Sequence, residues 1–219
     1  MAEKSEPGRI LGSFRHRLVT PANPDGEAVV LLHGSGGDEE QILPFAREVA
    51  PDAVLLAVRG RIVQDEARRW YKRLSPVRFD QLDIRAEAAA FTAFVQAAQA
   101  HYRLDPQRLT WLGYSNGANL VGAIALLQPA LVRRAVLLRT MPVLDDPPEA
   151  DLKGARFLIV AGRDDALYAP FAPAMQALLT RAGAAVEAQR IAADHMLGAE
   201  DVRVVGAWLR RNTAAPAIA

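Results

Sequence analysis

A chain of 219 residues, 51% of them hydrophobic, is long enough to bury a sizeable core in one domain. Its formal net charge of +1 gives no sign of nucleic acid or an acidic surface as the natural partner. The absence of cysteine excludes disulfides, thiolate metal sites and a cysteine nucleophile.

In chain order, residues 1–8 read as a loose polar tail. They lack the apolar centre of a signal peptide. No later run approaches the roughly 18–20 apolar residues of a membrane helix. The expected setting is therefore cytoplasmic. Ile10 to Val19 alternates as one strand, and the turn-rich segment from Thr20 to Gly26 ends it. Val29-Val30-Leu31-Leu32 is a short apolar strand that runs into His33-Gly34-Ser35-Gly36-Gly37. A helix follows on Ile42, Phe45, Ala46 and Val49. Val54 to Val58 is the next buried strand, and Arg59-Gly60-Arg61 opens a polar, arginine-rich loop through Trp70, Tyr71 and Phe79.

Ile84, Ala88, Phe91, Val95, Ala98 and Tyr102 mark one face of a long helix ending near Pro106. Leu109 to Leu112 then leads into Gly113-Tyr114-Ser115-Asn116-Gly117 and a leucine-rich helix. Strands over 135–138, 157–161 and 186–191 follow. Helices form around Phe171 to Leu179 and Val202 to Leu209, and a frayed tail is expected over 212–219. Alternating strands and helices predict a single α/β domain over 9–211, with a mostly parallel sheet covered on both faces.

In such sheets, sites lie beyond the carboxyl ends of the strands. Gly-x-Ser-x-Gly between a strand and a helix is the pattern of a nucleophile elbow, which lifts Ser115 above the sheet. A serine hydroxyl needs a base. His195 fits that role, with Asp165, or less well Asp164, to orient it. The order Ser115, Asp165, His195 is that of the α/β-hydrolases. Taken singly, each has an ordinary explanation: an exposed histidine, turn aspartates, a flexible glycine loop. Their joint placement at successive strand ends favours catalysis. The backbone N–H groups of Ser35 and Asn116 are the candidate oxyanion donors, with His33 a structural residue of its loop. Trp70, Tyr71, Met141 and Leu167 are candidate pocket walls.

No histidine pair has helical ligand spacing, so no metal is expected. The stretch Arg68-Arg69-Trp70-Tyr71-Lys72-Arg73 lacks the wider positive field of a nucleic-acid site.

The segments Leu32 to Glu39, Arg59-Gly60-Arg61, Trp70 to Arg73, Gly113 to Asn119 and Leu138-Arg139-Thr140-Met141-Pro142 together resemble the bacterial phospholipase/carboxylesterase family. They are most similar to its acyl-protein-thioesterase-like branch and the hydroquinone-associated carboxylesterase subgroup. The resemblance runs from about Val29 to Arg210. It implies an α/β-hydrolase without a large cap, no cofactor, and hydrolysis of small carboxylic esters. Thioesters and lysophospholipid esters fall within the same implication. It also places Ser115, Asp165 and His195 on the family's triad positions. Two departures stand out: Asp194 precedes the histidine where the family commonly has glycine, and Ala166 follows Asp165 where it usually has proline. Two other functions remain open, a non-catalytic binding protein on the same scaffold and an acyltransferase. A homodimer is compatible with such a domain, although no residue requires one.

Overall fold

The computed structural model describes residues 4–5 and 8–213. The strands are β1 (Lys4–Ser5), β2 (Arg9–Leu11), β3 (Phe14–Thr20), β4 (Ala28–Leu32), β5 (Val54–Val58), β6 (Ile62–Gln64), β7 (Ala67–Arg69), β8 (Arg73–Ser75), β9 (Arg78–Phe79), β10 (Leu109–Tyr114), β11 (Arg134–Leu138), β12 (Arg156–Gly162) and β13 (Ala185–Ile191). The α-helices are α1 (Leu43–Val49), α2 (Gln81–Tyr102), α3 (Asn116–Leu127), α4 (Ala172–Arg181) and α5 (Ala199–Asn212).

The main sheet runs β1-β3-β5-β4-β10-β11-β12-β13. From β5 to β13 every pairing is parallel, and β3 joins β5 antiparallel. Side chains alternate along these strands. Val30, Leu32, Leu56, Trp111 and Leu137 pack with α2, α3 and α4, while Val29, Leu31, Leu55, Leu112 and Val136 pack with α1 and α5. That two-sided burial explains the continuous apolar runs. Helix α3 is buried from Asn116 to Leu126, which accounts for its small and leucine-rich composition.

The chain leaves β4 for β5 on one side and later returns to β10 on the other. Strand order therefore reverses between β4 and β10, and the crevice at such a reversal is where open α/β sheets place ligands. Parallel register sets Gly113 of β10 opposite Leu32 of β4, so the glycine loop and the Ser115 turn leave the sheet side by side.

Four expectations change. The single strand expected from Ile10 to Val19 is a hairpin, because Gly12 turns at φ +57 and lets β2 fold back on β3. Of the expected N-terminal tail, Lys4–Ser5 pair with Val19 and Thr20, while residues 1–3 and 6–7 lie outside the described residues. At the other end α5 continues to Asn212, and 214–219 are likewise outside. The arginine-rich loop is built as two small hairpins, β6–β7 and β8–β9. Among the described residues no helix is long and apolar enough to cross a membrane.

Candidate active site

Ser115 joins β10 to α3 with φ +52 and ψ −115, a conformation that non-glycine residues adopt only when the surroundings impose it. Its N–H donates to Leu138 O of β11 at 2.8 Å, fixing the turn to the neighbouring strand. The turn leaves no room for side chains at Gly113 and Gly117. A Cβ at Gly117 would stand 2.4 Å from Leu32 O, and one at Gly113 would stand 2.6 Å from Ala118 Cα.

Three side chains from separate strand ends meet here. Ser115 Oγ lies 3.1 Å from His195 Nε2, and His195 Nδ1 lies 2.7 Å from Asp165 Oδ2. The arrangement is consistent with Ser115 donating to Nε2 and Nδ1–H donating to the carboxylate. Asp165 is buried, and its second oxygen accepts from Tyr168 N at 3.1 Å. Asp164 points to solvent and spends its N–H on Ala193 O, so geometry separates the two aspartates. Two tyrosine rings pack near the His195 ring at a tilt, with centroids 4.8 Å away for Tyr168 and 5.4 Å for Tyr114.

The glycine loop is held by its own partners. Gln41 Oε1 accepts from Gly34 N at 2.9 Å, and Arg68 O accepts from Gly36 N at 2.8 Å. Among the described residues, the N–H groups of Ser35 and Asn116 have no acceptor. Two unspent donors beside Ser115 are what an oxyanion requires. The side chain of Asn116 meanwhile accepts from Trp70 N at 2.8 Å, tying the helix start to the end of β7.

His33 is buried, and its Nε2 accepts from Gly60 N at 2.9 Å while Nδ1 sits 2.6 Å from Gly34 O. Only the neutral, Nδ1-protonated ring satisfies both contacts. Burial lowers its pKa from 6.5 to about 4. The unfolded chain thus binds a proton that the folded chain refuses between these values, so stability falls as pH drops through that window. The shift corresponds to about 3 kcal/mol lost between about pH 6.5 and 4. Urea titrations across this range should show the decline, and His33→Asn should flatten it. An unchanged slope in the variant would remove His33 as the cause.

The candidate pocket walls need correction. Trp70, Tyr71 and Met141 are 1%, 0% and 2% exposed and belong to the core. Their polar atoms are used internally: Trp70 Nε1 donates to His33 O at 2.8 Å, and Asn119 bonds both the Tyr71 hydroxyl and Met141 N. They hold the loops around Ser115 from beneath. Of the four, only Leu167 presents surface. A cleft of about 440 Å³ opens beside the His195 loop instead, lined by Gln41, Pro44, Phe45, Tyr114, Met196 and Val202 among others.

No catalytic motif marks Arg139, just past β11, or Asp201, in α5. Both are fully buried, paired at 2.8 and 2.9 Å. Arg139 also donates to Asp194 O at 2.8 Å and Met196 O at 3.0 Å, the carbonyls on either side of His195. On the facing side, Gly162 permits close approach, since a Cβ there would meet Asp194 O at 2.3 Å. Arg59 and Arg61 are structural, pairing with Glu39 of the glycine-loop segment and with Glu87 of α2.

The parallel sheet, its elbow and the loops at the strand reversal define an α/β-hydrolase. No family model matches the chain. The carboxylesterase from Mesorhizobium loti is 47% identical, with a TM-score of 0.89 over 94% of this chain and 99% of that one. The Bacillus cereus carboxylesterase is 27% identical, with a TM-score of 0.86 over 91% and 95% of the two chains. MhqD of Bacillus subtilis (strain 168), whose name marks it as a proposed hydrolase, is 32% identical over 139 residues, 64% of this chain and 70% of that protein. The chain belongs to the carboxylesterase/phospholipase-like α/β-hydrolase family and is an ester-hydrolysing enzyme.

Proposed function

We propose that the protein is a serine carboxylesterase acting on small carboxylic esters through an acyl-enzyme. The observation that carries this reading is the unbroken chain from Ser115 Oγ through His195 to Asp165, at 3.1 and 2.7 Å. Ser115 Oγ attacks the ester carbonyl as His195 Nε2 takes its proton, and Asp165 stabilises the resulting imidazolium. The N–H groups of Ser35 and Asn116 receive the developing oxyanion. Collapse of the tetrahedral intermediate breaks the ester C–O bond, and His195 returns the proton to the leaving alcohol. Water then enters, gives a proton to His195 and adds to the acyl carbon. The acid leaves, and Ser115 regains its hydrogen from the histidine. Ester and water alone balance the cycle.

The apolar cleft beside the His195 loop suits a short hydrocarbon portion of the substrate. With p-nitrophenyl acetate and butyrate, p-nitrophenol should appear in a burst stoichiometric with enzyme wherever deacylation is the slower step. Steady hydrolysis should continue behind it. A folded enzyme that turns over neither ester would contradict the proposal.

A further inference from the structure

Three arginines are buried among the described residues: Arg69, Arg134 and Arg139. Two have carboxylate partners, Arg134 with Glu27 at 2.5 Å and Arg139 with Asp201 at 2.8 Å. Arg69, only 4% exposed, has no carboxylate within ion-pair distance among the described residues; Asp65 acts on it only from farther away. Its Nη1 donates to Ser35 Oγ at 3.0 Å, and its Nε has no partner. A guanidinium taken out of water without an anion is costly, so proteins bury it where a counter-charge is fixed or arrives. The cost shows in its acidity, which burial, and next the charge of Arg73, pull below the ordinary arginine value.

Its position says where an anion would arrive. Arg69 ends β7, and the residues on either side are stitched to the proposed catalytic loops. Arg68 O accepts from Gly36 N, and Trp70 N–H donates to the side chain of Asn116, next to Ser115. The guanidinium itself reaches Ser35, which is exposed and whose backbone N–H is a proposed oxyanion donor. Tyr168, whose ring packs against His195 at a tilt, lies within its electrostatic reach. The guanidinium therefore borders the site where the scissile carbonyl would sit. Its planar fork matches a carboxylate, and the Ser35 hydroxyl, already accepting from Arg69, keeps its own hydrogen to donate.

Resting on the serine-esterase reading above, we propose that Arg69 and Ser35 form a carboxylate subsite. The preferred substrates are then esters that carry a second, ionised carboxylate, such as monoesters of short dicarboxylic acids.

The test compares kcat/KM for mono-p-nitrophenyl glutarate with that for p-nitrophenyl pentanoate, its uncharged counterpart of equal chain length. Taking the ratio within each preparation cancels differences in the amount of folded enzyme. Arg69→Met should lower the glutarate-to-pentanoate ratio by about ten- to a hundredfold, and Arg69→Lys should lower it less. A ratio unchanged in both variants would overturn the subsite, even if both hydrolyse more slowly, because Arg69 would then only brace the loop. Failure of the wild type to hydrolyse either ester would instead count against the serine-esterase reading itself.

Discussion

Ser115→Ala is expected to lower kcat for p-nitrophenyl butyrate by about 10⁵–10⁶-fold while leaving the protein folded. The substitution keeps Cβ, so the backbone at φ +52 meets the same steric environment as before. What is lost is Oγ, together with its contact to His195. Loss of that one contact changes stability by about 1 kcal/mol or less. Donors at Ser35 and Asn116 would still polarise a bound ester, so the residual rate should exceed that in water. A circular-dichroism melt beside the rate measurement separates chemistry from folding. Activity retained above about a hundredth of wild type would mean that another group attacks the ester.

The second large effect is expected at a residue that touches no reacting atom and acts through the segment carrying His195. Arg139→Met removes donors to the carbonyls of Asp194 and Met196 and leaves Asp201 as a carboxylate buried without its cation. Breaking a buried pair in this way costs about 3–5 kcal/mol. For a chain of this size the melting temperature should fall by about 10 °C. Well below the new melting point, kcat should fall too, because the segment carrying His195 loses the side chain that spans it. KM should change less, since Arg139 is buried away from the substrate. A variant that melts early but keeps full kcat would show that the loop's other contacts, that of Tyr114 among them, suffice to position it. Tyr114 donates its hydroxyl to His195 O at 3.1 Å.

Arg139 also illustrates what a sequence of this kind conceals. The elbow was legible because strand, Gly-x-Ser-x-Gly and helix are contiguous, and each glycine answers a local collision. The parallel sheet was legible because burial on both faces writes itself as short apolar runs. Asp165 and His195 could be read because each follows a strand, where the fold confines its chemistry. By contrast, the Arg139–Asp201 pair joins positions 62 residues apart through contacts that leave no spacing rule. Arg69 stands in a run of charged and aromatic residues that reads as a polar loop with its arginines in solvent and its aromatics turned towards the cleft. Two short hairpins bury it together with Trp70 and Tyr71, inverting that expectation. The Ile10–Val19 segment misled for a simpler reason: alternation continues across a tight hairpin, and only the single glycine at 12 marks the reversal.

The chemistry proposed for this protein stands on Ser115 as the nucleophile. The most direct measurement is covalent labelling with a fluorophosphonate, followed by peptide mass analysis, on the wild type and on Ser115→Ala. The wild type should carry one stoichiometric adduct, on the peptide that contains Ser115, and the variant none. An adduct on a different residue, or no adduct on a folded and active enzyme, would contradict that role for Ser115.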